Sequence, residues 1–278
     1  MAHFEKQTFE GERALFQTLN AEIVDCVFEN GESPLKESRD LTIRGGAFSW
    51  KYPLWYCHNV SVDGTEFHEM ARAGIWYSHN LYFRNIRFAC PKSFRQASEI
   101  RLTDCEFALG EETLWWCHHI DLKNVVTHGN YFAMNSHHIH ADHLRVDGNY
   151  AFDGCKHIRI TNSVLNTKDA FWNCEDVVVE DSVINGEYFA WNSKDIVLIR
   201  CKISSHQGFC YMKNIHLIDC EVVDSDLTFE YCEDIDATIL TEVDSIKNPI
   251  SGVIRCKGVK ELVLNDCDPS KTRIEVRK

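Results

Sequence analysis

A length of 278 residues excludes a disulfide-stapled miniprotein, and 44% apolar with 26% charged residues is typical of a packed globular chain. With only 5 prolines and 14 glycines, collagen-like and low-complexity chains are excluded as well. The 42 acidic residues outnumber the 29 basic ones and give a net charge of −13, which disfavours nucleic acid and anionic membranes as partners.

The N-terminal segment from Met1 to Lys6 lacks the basic and apolar regions of an export signal. Nowhere do about 18 apolar residues run together, as a membrane-spanning helix requires. The 13 cysteines include no Cys-x-x-Cys pair, and such a set suits a reducing compartment. We therefore expect a cytoplasmic location, mostly free thiols and no membrane partner.

From about Ala21 onward, short apolar strands recur with a period of about nineteen residues. Each repeat opens with apolar residues two apart, as in Ile158 and Ile160, which is the spacing of a strand with one buried face. An Asn, Asp or Gly often follows four residues after the start, as at Asn162 and Asp181, and tolerates the left-handed backbone of a sharp bend. The predicted strand starts are Leu41, Val60, Leu81, Ile100, Ile120, Ile139, Ile158, Val177, Ile196, Ile215, Ile235 and Val259.

Three short strands and three bends per repeat, without a helical segment, describe one coil of a parallel solenoid. The hexapeptide repeat of left-handed solenoids is absent. The sequence therefore predicts an all-β protein, a single-stranded right-handed parallel β-helix with about 12 short coils of 19–20 residues. We expect one domain over 1–278, in which 1–20 form an N-terminal cap, 21–246 the coils, and 247–278 the last coil and C-terminal cap. Caps protect the open edges of the terminal coils.

Five segments of the repeats carry a family resemblance. The coils resemble the pectate-lyase-like superfamily of right-handed β-helices, and the segments are similar to those of an uncharacterised bacterial β-helix family, mostly from Firmicutes. The resemblance covers nearly the whole chain and implies the same fold, but it implies no established activity. The calcium site of pectate lyases and the Asn-Thr-Asp and Gly-His-Gly segments of polygalacturonases are not met. The segments are Gly31–Glu37, Tyr52–Tyr56, Ala71–Tyr77, Asp169–Asn173 and Gly186–Asn192.

The first candidate site is a row of tryptophans near the end of one strand of several coils. Alternation with an apolar column that includes Leu54 and Phe171 places this row on the outside. Exposed indoles could hold an oligosaccharide through its apolar faces. The alternatives are an interior aromatic stack and a homodimer interface. The predicted substrate-binding residues are Trp55, Trp76, Trp115, Trp172 and Trp191.

The second candidate is a strip of charged residues around the tryptophan row. Neighbouring coils bring carboxylates to a separation of about 5 to 9 Å, which glycoside hydrolysis requires. The same strip is also what a solvated ladder of alternating charges would show. The predicted catalytic residues are Arg72, Glu112, Asp153, Asp169 and Glu187.

Histidines and cysteines form two further columns. His119, His138 and His157 are nineteen residues apart and could share a transition metal, but Asn occupies the same column elsewhere, which favours a polar ladder at a bend. Serine alternates with cysteine in the other column, which favours a small structural side chain over an iron–sulfur scaffold. We therefore predict no metal and no cofactor. The cysteine column is Cys57, Cys117, Cys155, Cys174 and Cys232.

These patterns favour the binding, or the processing, of a carbohydrate along the aromatic and charged strip. The sequence does not decide whether the protein is an enzyme; if it is, a carbohydrate-active lyase or a glycoside hydrolase is expected. The alternative is a non-catalytic scaffold or oligomerisation module. The expected partners are an oligosaccharide or a second copy in a homodimer, with neither nucleic acid nor membrane.

Overall fold

The computed structural model describes residues 1–277, which form strands joined by turns and contain no helix. Within that range there is accordingly no helix long and apolar enough to cross a membrane. Contacts divide the chain into two compact units, the first from Met1 to His140 and the second from Ala141 onward. Strands of successive coils pair in parallel, which confirms the predicted right-handed parallel β-helix.

In the first unit, equivalent residues of successive coils pair in register from Ala2 through Ala21, Leu41, Val60, Leu81 and Ile100 to Ile120. The strands are β1 Ala2–Glu5, β2 Thr8–Glu10, β3 Leu19–Val24, β4 Val27–Glu29, β5 Arg39–Arg44, β6 Ala47–Phe48, β7 His58–Asp63, β8 Glu66–Phe67, β9 Ile75–Trp76, β10 His79–Arg84, β11 Arg87–Phe88, β12 Phe94–Arg95, β13 Ser98–Phe107 and β14 His118–His128. β15, His137–Asp147, begins in this unit and ends in the next.

In the second unit, the register runs from Ile158 through Val177, Ile196, Ile215 and Ile235 to Gly252 and Thr272. The strands are β16 Lys156–Thr161, β17 Val164–Asn166, β18 Glu175–Glu180, β19 Val183–Glu187, β20 Lys194–Ile199, β21 Lys202–His206, β22 Lys213–Val222, β23 Glu233–Ile239, β24 Glu242–Lys247, β25 Gly252–Cys256, β26 Gly258–Val263 and β27 Thr272–Val276.

Residues 1–277 complete about 14 turns, slightly more than the twelve or so predicted. The segment 1–20, predicted as a cap, contains β1 and β2, which pair in register with β3 and β4. Three of its positive-φ positions are Lys6, Arg13 and Gln17, residue types that do not signal a bend, so the repeat is hard to see in the sequence here. Val259 is not the next start of the main row. It pairs with Val243, and Gly252 takes the position beside Ile235.

The bends lie where the polar residues predict them. Asn162 and Asp181 have φ values of 50° and 49°, the left-handed region that Asn and Asp tolerate. At another bend, Asn80 donates from Nδ2 to Oδ1 of Asn59 at 2.8 Å, and Asn59 donates in the same way to Asp40. Stacked polar side chains thus fulfil one another's hydrogen-bonding capacity from coil to coil.

The interior of each unit is filled by stacked apolar columns. In the first unit, the rings of Phe88 and Phe107 stack with centroids 4.6 Å apart. In the second, Phe152 and Phe171 stack at 4.9 Å with an interplanar angle of 6°. Leu54 and Phe171, expected to face inward, are fully buried, so the tryptophan that follows each of them is turned away from the core.

Candidate functional site

The first unit carries a column of aromatic and cationic side chains, Trp55, Trp76, Arg95 and Trp115, which we call the unit-1 strip. Trp55 and Trp76 stack with centroids 5.3 Å apart and an interplanar angle of 8°. The Arg95 guanidinium lies 4.4 Å from the Trp76 ring and 4.7 Å from the Trp115 ring. All four side chains are half-buried. Within this column the ring faces contact one another or the Arg95 guanidinium.

Hydrogen bonds from the indole nitrogens orient the strip. Trp55 Nε1 donates to the carbonyl of Ala73 at 2.5 Å, and Trp76 Nε1 donates to the carbonyl of Lys92 at 2.9 Å. Each acceptor lies about one coil further along the chain, so each indole is hydrogen-bonded to the backbone of the next coil. The indole N–H groups are therefore engaged within the protein.

A second row, which the sequence interpretation missed, follows the tryptophans directly. Tyr56 and Tyr77 stack at 4.8 Å, and Tyr56 and Trp116 are 43% and 45% exposed. Arg95, expected among the charges beside the row, stands in the tryptophan column itself. A spacing of nineteen residues from Trp76 identifies Arg95, and the Trp-Tyr and Trp-Trp pairs identify the second row.

The second unit carries Trp172, Trp191 and Tyr211, which we call the unit-2 strip. Trp191 stacks on Tyr211 at 5.6 Å and 17°, whereas Trp172 is tilted by 54° against Trp191 at 5.7 Å. With Asn173 and Asn192 these rings line an open concavity of about 480 Å³. The concavity thus combines aromatic rings with amide groups.

The two amides belong to a short hydrogen-bonded chain. Asn192 donates from Nδ2 to Oδ1 of Asn173 at 2.9 Å, and Asn173 donates to Oδ1 of Asp153 at 3.0 Å. Asp153, one of the predicted catalytic residues, is half-buried and is the acceptor at the end of this chain. The second Nδ2 hydrogen and the free lone pairs of the exposed amides can still bind a ligand.

The five predicted catalytic residues fall into two sets. Arg72 and Glu112 belong to the first unit; Asp153, Asp169 and Glu187 belong to the second. Arg72 is exposed, and Glu112 contacts Lys92 at 3.0 Å and Arg95 at 3.3 Å.

Asp169 and Glu187 lie on neighbouring coils but in different surroundings. Asp169 is only 2% exposed and accepts a hydrogen bond from Tyr150. Burial raises the pKa of its carboxyl, the Lys168 charge opposes that shift, and the Glu187 charge adds to it. Glu187 is half-exposed and paired with Lys168 at 3.0 Å. One carboxyl is therefore shielded and the other is held in an ion pair.

The predicted histidine column contains a ring contact in the first unit and an ion-pair contact in the second. The rings of His119 and His138 lie 5.0 Å apart, and His157 Nδ1 contacts Oδ2 of Asp176 at 2.8 Å. Beside them, His118 and His137 stack at 5.1 Å and 4°. In residues 1–277, no cluster of His, Cys, Asp or Glu has the arrangement of a metal site.

The predicted cysteine column is buried at a corner of the coil. Cys174 Sγ contacts the carbonyl of Phe152 at 2.9 Å, and Ser193 Oγ donates to the carbonyl of Phe171 at 2.6 Å. Cysteine and serine thus make the same contact one coil apart. Burial raises the pKa of the Cys57 thiol to about 12, so this thiol stays protonated at neutral pH.

Among solved structures, the chain is similar to a mutant tailspike protein of E. coli bacteriophage HK620 in complex with a pentasaccharide. The identity is 8% and the TM-score 0.52, over 98% of this chain and 72% of that chain. It also matches PfbA, a surface adhesin of Streptococcus pneumoniae, at 10% identity and a TM-score of 0.42, over 94% and 81% of the two chains. At such identities the tailspike likeness shows the fold alone.

No curated protein matches the chain in sequence. A family model described as a protein of unknown function, DUF3737, matches residues 2–277. Because the match spans nearly every coil, the chain belongs to the DUF3737 family.

Proposed function

We propose that this protein binds carbohydrate, with the unit-2 strip as its principal site. The observation that carries this proposal is the concavity that places Trp172, Trp191 and Tyr211 beside the exposed amides of Asn173 and Asn192. A sugar ring has an apolar C–H surface and a periphery of hydroxyl groups. Aromatic rings suit the first, and amides, which both donate and accept, suit the second.

The fold is compatible with such a role. The tailspike protein, which is similar to this chain in fold, is in complex with a pentasaccharide. A parallel β-helix repeats its surface side chains at every coil, so a ligand built from repeating units meets repeating contacts. The carbohydrate role of this chain is inferred from its own strips, with the tailspike likeness as support from the fold.

We propose binding in preference to turnover. Asp169 is shielded from solvent, and Lys168 holds Glu187, so this pair of carboxyls does not offer a free acid and a free base to a bound sugar. The catalytic role predicted for Arg72, Glu112, Asp153, Asp169 and Glu187 stays a prediction. Its test is turnover by variants that keep the fold.

A second candidate function is a protein interface along the unit-1 strip. Trp55 and Trp76 stack face to face, and the exposed Tyr56 and Trp116 flank them. Contiguous exposed aromatic surface is typical of an interface between subunits. Sedimentation of the full chain over a range of concentrations tests this: a dimer whose dissociation constant rises in a Trp116→Ser variant supports it, and a monomer throughout contradicts it.

The carbohydrate proposal is tested by acrylamide quenching of tryptophan fluorescence with a panel of neutral oligosaccharides. We expect one class of glycan to protect the indoles and Asn192→Gly to weaken that protection. Asn214→Gly is the matched control, because Asn192 and Asn214 both have φ of 57° and both donate from Nδ2 to a side-chain oxygen of the preceding coil. Equal effects of the two variants, or no protection by any glycan, would count against the proposal.

A further inference from the structure

The unit-1 strip borders a recess of about 250 Å³ between Tyr52, Trp55 and Trp76. Its volume equals roughly eight water molecules at about 30 Å³ each, which suits a single ring with its substituent. Tyr52 and Trp55 pack at 4.6 Å between centroids, so two sides of the recess are aromatic. Arg72 and Lys92 supply its charged groups, and among the described residues, 1–277, no carboxylate lines it.

The polar groups of the recess are almost all hydrogen-bond donors. The carbonyls of Ala73 and Lys92 already accept from Trp55 and Trp76. Within residues 1–277, Arg72 is exposed and forms neither an ion pair nor a side-chain hydrogen bond. A guanidinium and an ammonium donate and never accept.

A recess that offers mainly hydrogen-bond donors suits a ligand group that has only hydrogen-bond acceptors. Every hydroxyl of a neutral sugar also carries a proton that needs an acceptor, and among the side chains that line the recess only the Tyr52 hydroxyl provides one. A carboxylate, sulfate or phosphate presents acceptors alone and gains charge-assisted hydrogen bonds from Arg72 and Lys92. The composition of the recess therefore favours an anionic group.

The charges next to the recess limit how many anionic groups can bind. Of the cations Arg72, Lys92 and Arg95, the last two contact the carboxylate of Glu112, and within residues 1–277 Arg72 forms no ion pair. Glu37 lies on the coil before Trp55 and the whole chain carries −13, so a long polyanion that extends beyond the recess meets negative charge. A uniformly charged chain would be repelled on either side.

We propose that this recess binds one anionic group, a carboxylate, sulfate or phosphate, carried on a sugar ring. The unit-1 strip then selects glycans with isolated negative charges and rejects uniform polyanions. The sugar part of this inference rests on the proposed carbohydrate function, whereas the anionic part rests on Arg72 and Lys92 alone.

The test is calorimetric titration of the full chain with methyl glucoside, methyl glucuronide, glucose 6-sulfate and glucose 6-phosphate. Acetate, sulfate and phosphate are titrated as free anions, and a uniformly charged oligouronate as the polyanion. We expect the charged sugars to bind about tenfold or more tighter than the neutral one, and Arg72→Gln to remove most of that preference. Arg101→Gln, the same change of charge at an exposed site of the same unit, is the control and should leave the preference intact.

Several results would overturn this inference. Equal binding of charged and neutral sugars, or a preference that survives in Arg72→Gln, would refute the anionic recess while leaving carbohydrate binding in place. Free anions that bind as tightly as the charged sugars would refute the requirement for a sugar ring. If neutral glycans also fail to protect the indoles, the proposed function fails separately. An oligouronate that binds tighter than methyl glucuronide would refute the rejection of polyanions. The three charged sugars, compared with one another, show which anion the recess takes.

Discussion

A comparison of Trp172→Ala with Phe171→Ala distinguishes what a surface aromatic ring and a core aromatic ring contribute to stability. Trp172 is half-buried, contacts Trp191 at 5.7 Å and donates from Nε1 to the carbonyl of Tyr188 at 2.8 Å. Its chain neighbour Phe171 is fully buried and stacks on Phe152. The two positions share one coil, so they can be compared within the same local structure.

The expected losses in unfolding free energy follow from burial. A fully buried aromatic side chain removes about 150–250 Å² from water, and about two thirds or more of Trp172 is buried, so its indole removes about 100–160 Å². At about 25 cal/mol per Å² this is worth about 2.5–4 kcal/mol, solvation of the freed Tyr188 carbonyl adds little, and water can fill the space that the ring leaves at the surface. Phe171→Ala also leaves a cavity and should cost about 3–5 kcal/mol. We therefore expect Trp172→Ala to be the milder change.

The assay is urea unfolding followed by far-ultraviolet circular dichroism, because tryptophan fluorescence changes with the substitution itself. An unchanged denaturant slope would show that both variants unfold from the same native state. Trp172→Ala should also lose oligosaccharide binding while folded. If Trp172→Ala costs as much as Phe171→Ala or does not fold, the indole belongs to the core and the surface interpretation of the unit-2 strip is wrong.

Three further changes test single side chains. Burial raises the pKa of Asp169, so the folded state loses stability as pH rises through that pKa; Asp169→Asn should be more stable than wild type at pH 7 and equal to it below about pH 3.8. A wild-type advantage at pH 7 would contradict this. Cys174→Ser should cost less than about 1 kcal/mol in unfolding free energy, because Ser193 fills the same corner one coil on, and a loss above about 3 kcal/mol would refute the equivalence. Burial and neighbouring histidines lower the pKa of His118, so the free energy of unfolding should fall as the pH drops below 6.5, the ordinary pKa of histidine. His118→Gln should reduce this dependence of stability on pH. An unchanged pH dependence would show that other groups cause it.

The coil fold could be predicted because one signal repeats. Val60 and Ile158 lie in β7 and β16, paired in register where the period of about nineteen places them, and the residue type of Asn162 indicates its left-handed bend. The exceptions are bends where the backbone adopts the left-handed conformation at a residue other than Asn, Asp or Gly. Lys6 adopts φ of 51° in the first coil, and tertiary pairing overrides its weak preference for that region.

The site was harder to predict, because periodicity gives the column of a residue but not the orientation of its ring. The tryptophans were expected outside the core, and the structure places them half-buried. Arg95 stands in the same column as Trp76, yet the change from an aromatic to a charged residue hides it from a search for aromatic residues. Its packing between two indoles depends on side-chain geometry that spacing does not contain.

The stacking that builds these strips also limits what each can bind. In a parallel solenoid, like residues of adjacent coils meet face to face, so aromatic columns use their ring faces for one another. Trp55 and Trp76, at 8°, leave mainly edges to a ligand, whereas Trp172 and Trp191, at 54°, leave part of a face uncovered. The apolar surface of a neutral sugar needs a ring face, and a charged substituent needs donors. The unit-2 strip is therefore the better site for a neutral ring, and the unit-1 strip depends on Arg72 and Lys92 to hold a ligand.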